Sequence, residues 1–142
     1  MSDQLPTTDE INVHDSLDER AAVEHFLGKS SSQAVEMFYD DFLTYQEDLM
    51  WMGPRGFCFY VRAAVEYLLS DDSLDDSDAV SSFCSLIEFK LKYDSDETAS
   101  ARPIIRNAID FILGDFSRYG CNPGIYGDVA ARYRHLLDQL AT

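Results

Sequence analysis

The segment Gly28-Lys29-Ser30 ends like the loop that holds nucleotide phosphates, in which a lysine and a hydroxyl residue follow a glycine. The lysine of such a loop contacts the phosphates, and the hydroxyl contacts magnesium. The loop also needs a glycine where Val23 stands, and it follows a strand, whereas the residues before Gly28 have a helical pattern. The motif therefore does not predict a nucleotide site.

A second chemical pattern lies in the acidic segment that begins at Asp71. Asp71, Ser73 and Asp75 have the spacing of the first three ligands of a calcium-binding loop. Asp76, however, stands where that loop needs glycine, and Ser82 stands where it needs a glutamate that binds through both oxygens. The segment predicts no dedicated calcium site.

Histidines and carboxylates give no stronger chemical signal. His14, His25 and His135 do not have the spacing of zinc ligands, and the sequence contains no Gly-x-Ser-x-Gly turn that would present a nucleophile. Adjacent carboxylates such as Asp40 and Asp41 arise by chance in so acidic a chain. We therefore expect a protein that is not an enzyme and that uses no metal or cofactor.

Two arginines form the most informative polar pattern. Arg55, Arg62 and Glu66 fall on one stripe of an otherwise apolar helical segment, and Arg62 and Glu66 have the spacing of a helical ion pair. One interpretation is an ordinary solvent-facing stripe, and another is that Arg62 meets a carboxylate of residues 47–48 or lines a groove with Tyr60 and Tyr67. The corresponding pocket for a small molecule consists of Trp51, Arg55, Tyr60 and Arg62.

The helix that positions these side chains is predicted over residues 54–70. Pro54 suits the first helical position, and Gly53 then becomes the N-cap. Met52 and Phe57 fall at the two positions that form a hydrophobic staple. We expect this helix to lie at the centre of the molecule, with an apolar stripe of Phe57, Val61, Ala64, Val65 and Leu68.

The remaining chain also has helical patterns and no strand pattern. Ser16 to Glu19 and Ser30 to Gln33 are capping boxes that open two helices, the second of which is expected to lose regularity over residues 44–50. Further helices are predicted over residues 78–93, 100–119 and 128–140. The sequence thus predicts an all-α bundle of five to six helices around the helix at 54–70, with a flexible arm over residues 1–14 and one helical domain over residues 15–142.

The charge of the chain limits its partners. The formal net charge is -15, and residues 1–101 carry 22 acidic and 6 basic side chains, against 4 and 5 in residues 102–142. Nucleic acids and anionic membranes are therefore disfavoured, because both are bound by neutralising phosphates with Lys and Arg. The sequence contains neither a signal-peptide pattern nor a run long enough to span a membrane, and its three cysteines have no paired spacing. We expect a cytoplasmic protein.

A basic protein is the favoured partner class. The acidic face predicted to engage it combines one end of a helix with the linker after the central helix: Asp40, Asp41, Glu47, Asp48, Asp71, Asp72, Asp75 and Asp76. Two alternatives stay open, which are the small-molecule pocket and a mimic of DNA phosphates with carboxylates spaced along one face. The oligomeric state is left open.

The segment Trp51-Met52-Gly53-Pro54-Arg55-Gly56-Phe57-Cys58-Phe59-Tyr60 resembles a stretch in small bacterial helical proteins. In those proteins Gly-Pro is followed by an aromatic helix of the type Phe-x-Tyr-Tyr-Leu-Pro-Ala, and here Arg62 replaces the proline. The likeness covers about twenty residues. Some of those proteins are similar to immunity-type or accessory proteins, so the resemblance implies a binding role and carries over no activity.

Overall fold

The structure, a computed structural model, describes residues 4–141. Helices account for most of this part of the chain, and it contains no strand. Short 3-10 turns at Asp71–Ser73, Ala99–Ala101 and Phe116–Tyr119 connect some of them. The eight α-helices are α1 (Thr8–Ile11), α2 (Leu17–Phe26), α3 (Ser31–Trp51), α4 (Pro54–Leu68), α5 (Ser77–Tyr93), α6 (Arg102–Gly114), α7 (Pro123–Tyr126) and α8 (Val129–Leu140).

The predicted all-α bundle is confirmed, and its helix starts follow from local capping. Ser16 and Ser30 accept hydrogen bonds from the backbone amides three residues later, and Glu19 and Gln33 accept from the N-cap amides in return. Each box satisfies amide donors that the first helical turn leaves without intrahelical partners. The six helices of ten residues or more correspond to the predicted helices.

Helix α4 is buried on nearly every side. Its N-cap is Gly53 and its first residue is Pro54, as predicted. Ten of its fifteen residues are buried, and the helix packs against α1, α3 and α6. Helix α3 in turn contacts α2 and α5, while α8 closes the bundle against α5 and α6. The hydrophobic core therefore surrounds α4 and continues between α5, α6 and α8.

The N-terminal segment differs from the predicted flexible arm. Residues 8–11 form helix α1, and both Pro6 and Ile11 are buried. The amide of Gly53 donates to the carbonyl oxygen of Ile11 at 2.8 Å, which fixes α1 at the start of α4. Residues 1–3 of the predicted arm lie outside the described residues. The polar composition of this segment predicts a flexible arm. A few backbone contacts with distant residues are enough to hold it against the bundle, and composition does not reveal such contacts.

Two helices break at aspartates. Asp41 has a non-helical backbone within α3, and its carboxylate accepts from the amide and hydroxyl of Thr44, so it caps the second half of that helix. The predicted irregularity over residues 44–50 is therefore wrong, because the helix is regular after this cap. The helix predicted over residues 100–119 likewise ends at Gly114, and a 3-10 turn follows Asp115.

One lysine lies inside the bundle. Lys90 of α5 is 2% exposed, and its ammonium donates to the carbonyl oxygen of Met52 at 2.7 Å. The ammonium also lies 5.1 Å from the centre of the Phe57 ring and 3.4 Å from a carboxylate oxygen of Asp94. Burial lowers the pKa of Lys90 below its ordinary value. The contact ties α5 to the junction between α3 and α4.

Among residues 4–141, no helix combines the length and the apolar character that crossing a membrane requires.

Candidate functional site

The acidic linker between α4 and α5 is an ordered loop. Ser73 is fully buried, and its hydroxyl lies 2.9 Å from the carbonyl oxygen of Leu68 and 2.8 Å from that of Ser70. The amide of Asp75 donates to the carbonyl oxygen of Arg118 at 2.8 Å. Arg118 donates in turn to the carbonyl oxygen of Ser70 at 2.9 Å. The linker is thus held by hydrogen bonds to the end of α4 and to the turn that follows α6.

This loop presents carboxylates around an exposed leucine. Asp71, Asp72 and Asp75 are exposed, and Leu74 between them is 58% exposed. Asp75 has a positive φ of 62°, a conformation that aspartate and asparagine tolerate better than most residues. The loop therefore combines negative charge with an apolar side chain that is more than half exposed.

An aromatic contact joins α3 to the residue of α4 that binds this loop. The rings of Tyr39 and Tyr67 lie 5.2 Å apart in an edge-to-face arrangement, and Tyr67 contacts the linker through Asp76. Tyr39 is 40% exposed, and Asp40 and Asp41 follow it in exposed positions. The predicted acidic residues Asp40 and Asp41 therefore follow a tyrosine that reaches the loop only through Tyr67 of α4.

Two of the predicted partner-binding residues have structural roles. Asp76 caps α5 by accepting from the amide of Ala79, and it also accepts from the hydroxyl of Tyr67. Asp48 is 7% exposed, and its carboxylate lies 2.6 Å from Nδ1 of His25. The prediction that Asp48 contributes to an acidic face is wrong, because the side chain points into the bundle toward α2. Glu47 beside it is exposed.

The contact between buried Asp48 and half-buried His25 connects α3 to α2. Burial raises the pKa of the Asp48 carboxyl above its ordinary value, and the nearby imidazole partly offsets this. The rings of Tyr45 and His25 lie 5.4 Å apart between centroids in an edge-to-face arrangement. Within residues 4–141, no cluster of three or more His, Cys, Asp or Glu side chains is placed to hold a metal ion.

The predicted pocket residues separate into two groups. Trp51 is 39% exposed and packs edge-to-face on Phe89 at 5.2 Å. Tyr60 is fully buried, and its hydroxyl lies 2.9 Å from the carbonyl oxygen of Phe26 and 2.8 Å from that of Lys29. Neither side chain lines a cavity with the arginines, so the prediction of one pocket containing all four residues is wrong.

The arginines do line a groove between α4 and the start of α6. Arg62 uses its Nε to donate to the carbonyl oxygen of Phe59, and it forms neither the predicted pair with Glu66 nor a contact with residues 47–48. Tyr67 also lies outside the groove. The groove has a volume of ≈ 400 Å³ and is lined by Arg55, Cys58, Phe59, Arg62, Ser100, Ala101, Pro103 and Ile104.

Several residues of these surfaces were not predicted from the sequence. The exposure of Leu74 depends on the folding of the linker, although its position within an acidic run indicates that it could be exposed. The exposure of Tyr39 depends on how α3 packs against α4. Phe59 and Ile104 meet in the groove although they lie 45 positions apart in the chain, and no local pattern links them. Only the arginine spacing of seven residues indicated that α4 has a basic edge.

Comparison of the chain with models of known families, with curated proteins and with solved structures found no match.

Proposed function

We propose that this protein is a non-enzymatic binding module that engages a basic protein partner through the acidic loop of Asp71, Asp72, Leu74 and Asp75. The observation that carries the proposal is the ordered conformation of this loop. Hydrogen bonds from Ser73 and Asp75 to neighbouring backbone hold it in place. A loop fixed before binding loses less conformational entropy when a partner docks, which raises affinity.

The side chains of the loop fit a basic partner. The carboxylates attract Lys and Arg side chains at a distance, and the exposed Leu74 offers an apolar contact among them. The net charge of -15 adds long-range attraction that speeds association with a positively charged protein. An immunity-type protein that blocks a basic toxin is the kind of module that this surface fits.

Affinity capture from the native host at low and high salt tests the proposal. The bait is the full-length protein, and it is compared with the triple variant Asp71→Asn, Asp72→Asn, Asp75→Asn. Asparagine keeps the size of the side chain and tolerates the positive φ at position 75. We expect the wild type to recover a basic protein at low salt, weaker recovery at high salt, and on the order of tenfold weaker binding by the triple variant.

A second triple variant serves as the matched control, since Asp96→Asn, Glu97→Gln, Asp110→Asn changes the net charge equally at exposed positions away from the loop. The purified partner is then titrated calorimetrically against all three proteins. Equal weakening by the two triple variants would mean that only net charge matters. Failure to recover a basic protein at either salt concentration would remove the proposed partner class.

A further inference from the structure

The groove between α4 and α6 is a positively charged site on a strongly acidic protein. Arg55 and Arg62 lie two helical turns apart on α4, and both guanidiniums lie over the ring of Phe59, at 5.6 and 4.5 Å from its centre. Phe59 is 5% exposed, so the arginines cover an aromatic side chain that is otherwise buried. Stacking on an aromatic ring holds a guanidinium plane in a defined orientation.

Arg62 is the better recognition group of the two. Its Nε donates to the carbonyl oxygen of Phe59 at 3.0 Å, which leaves the two terminal nitrogens available for a ligand. Among the described residues, no carboxylate lies within 4.0 Å of this guanidinium. The paired terminal nitrogens of arginine match the two oxygens of a carboxylate.

Arg55 is already partly engaged by the N-terminal segment. It donates to the carbonyl oxygen of Gln4 at 2.6 Å, and its Nε lies 3.9 Å from the carboxylate of Glu10. These contacts hold the side chain at the rim of the groove and reduce the positive charge that it offers. Arg55 therefore shapes the site, and Arg62 supplies the main charge for a ligand.

The opposite wall of the groove is largely apolar. It is formed by Ser100 and Ala101 of the 3-10 turn before α6 and by Pro103 and Ile104 of the first turn of that helix, so it offers one hydroxyl group on an otherwise apolar surface. A volume of ≈ 400 Å³ lies within the range of small-molecule sites. A ligand that fits this lining needs an apolar body on one side and a single anionic group on the other.

We propose that this groove binds a small organic acid, in which an aromatic or aliphatic body lies against Phe59 and Ile104 and a carboxylate pairs with Arg62. This site is separate from the acidic loop, and the proposal does not depend on the protein partner. The class of ligand follows from charge complementarity. The guanidinium has no carboxylate partner and lies beside an apolar wall, so the groove favours an amphipathic anion over a neutral or basic molecule.

Nuclear magnetic resonance titration with 2-naphthoate tests the proposal. Backbone amides and the arginine Nε–H signals are followed in the full-length protein, with 2-naphthalenemethanol and inorganic phosphate as comparison probes. We expect 2-naphthoate to shift the signals of residues 55–62 and 100–104. The neutral alcohol and phosphate should each bind on the order of tenfold more weakly, since each offers only half of the recognised chemistry.

Arg62→Gln is the decisive variant, and Arg106→Gln is its matched control, because Arg106 is an exposed arginine of α6 that does not line the groove. We expect Arg62→Gln to weaken 2-naphthoate binding on the order of tenfold and Arg106→Gln to leave it within about twofold. Circular dichroism checks that both variants are folded. Three outcomes would each overturn the proposal: the three probes bind the wild type with equal affinity, the two substitutions have equal effects, or the shifted signals lie outside the groove.

Discussion

At the scale of single residues, the carboxylate of Glu19 accepts four hydrogen bonds. One carboxylate oxygen accepts from the amides of Val13 and His14, both at 2.8 Å, and the other accepts from the amide and hydroxyl of Ser16. The side chain is 3% exposed. Burial raises the pKa of Glu19, but the hydrogen bonds outweigh burial and hold it below its ordinary value. A single residue thus fixes the turn that joins α1 to α2.

Replacing Glu19 with glutamine should lower the free energy of unfolding by about 1–3 kcal/mol at neutral pH. The side-chain NH₂ of glutamine is a donor, and it would face either backbone amides or a hydroxyl that are donors themselves. Two donors cannot form a hydrogen bond, so part of the network is lost. Urea denaturation followed by circular dichroism measures the difference. Glu24→Gln is the control, since Glu24 is an exposed residue of the same helix, and it should change stability by less than about 0.5 kcal/mol.

The effect of Glu19→Gln should also depend on pH with a known sign. Because the folded-state pKa is lowered, the stabilisation by Glu19 is fully present above the unfolded-state pKa and is lost as pH falls through the folded-state pKa. The stability difference between wild type and variant should therefore shrink on acidification. A difference that stays constant down to the acid unfolding transition would contradict the role given to the carboxylate.

At the scale of secondary structure elements, the contact between α1 and α4 depends on two glycines. A Cβ at position 53 would lie 2.5 Å from Cγ2 of Val13 and 2.6 Å from the carbonyl oxygen of Glu10. At position 56 it would lie 3.1 Å from Sδ of Met52 and 3.2 Å from a side-chain carbon of Ile11. Neither position needs glycine for its backbone conformation. The two glycines are required because α1 lies so close.

Gly53→Ala should therefore displace α1 and lower the free energy of unfolding by about 1–3 kcal/mol. Hydrogen exchange of the residue 53 amide, which donates to Ile11, should become faster relative to amides in the middle of α4. Gly114→Ala is the control because, apart from the backbone of its own helix and its two chain neighbours, nothing lies within 4 Å of the added carbon. That variant should be as stable as the wild type or more stable by up to about 1 kcal/mol. Equal destabilisation by both substitutions would refute the packing argument.

The same elements show which features can be predicted from sequence. Helix starts at Ser16, Ser30 and Pro54 were predictable because caps and first turns are built from neighbouring residues. The docking of α1 was not, because it depends on glycines about 40 positions away. The sequence places Asp48 on the surface for a similar reason, since its partner His25 lies on another helix. Spacing identified Arg55 and Arg62 as a stripe, but the apolar wall opposite them comes from α6.

At the scale of the whole molecule, several tyrosines serve as buried donors between distant segments. The hydroxyl of Tyr119 donates to the carbonyl oxygen of Leu68 at 2.8 Å, and that of Tyr133 donates to the carbonyl oxygen of Val80. The hydroxyl of Tyr60 likewise lies within hydrogen-bond distance of the carbonyl oxygens of Phe26, the last residue of α2, and of Lys29 in the turn that follows. Burial raises the pKa of all three phenols, because a phenolate would lose both the hydrogen bond and its hydration.

The protein should lose stability as pH rises above about 10, the ordinary tyrosine value. A raised folded-state pKa means that the folded state holds protons which the unfolded state releases, so stability falls with rising pH. Lys90 acts in the opposite direction just below its own ordinary pKa, but it is a single group, whereas burial raises the pKa of several phenols. Ultraviolet absorbance of tyrosinate and circular dichroism, recorded together, should show the buried phenols ionising only as helicity is lost. Tyr133→Phe should make the decline of stability with pH less steep.

Reversible ionisation of every tyrosine with the helices intact would contradict the burial of these phenols.

Cys84 should also ionise only at high pH while the protein is folded, since burial raises the pKa of its thiol to about 12. Reaction of that thiol with a maleimide should therefore be slow until the bundle opens. The reactivity of these phenols and of this thiol is thus set by their burial in the folded protein, which their neighbours in the sequence do not reveal.

The edge-to-face contact between Trp51 and Phe89 offers a built-in optical reporter. Trp51 is the only tryptophan of the chain, and it lies at the end of α3 against a residue of α5. Its fluorescence emission will change when those two helices separate, and no label has to be introduced to observe this. Stopped-flow recordings of that emission would time the docking of α5 during refolding.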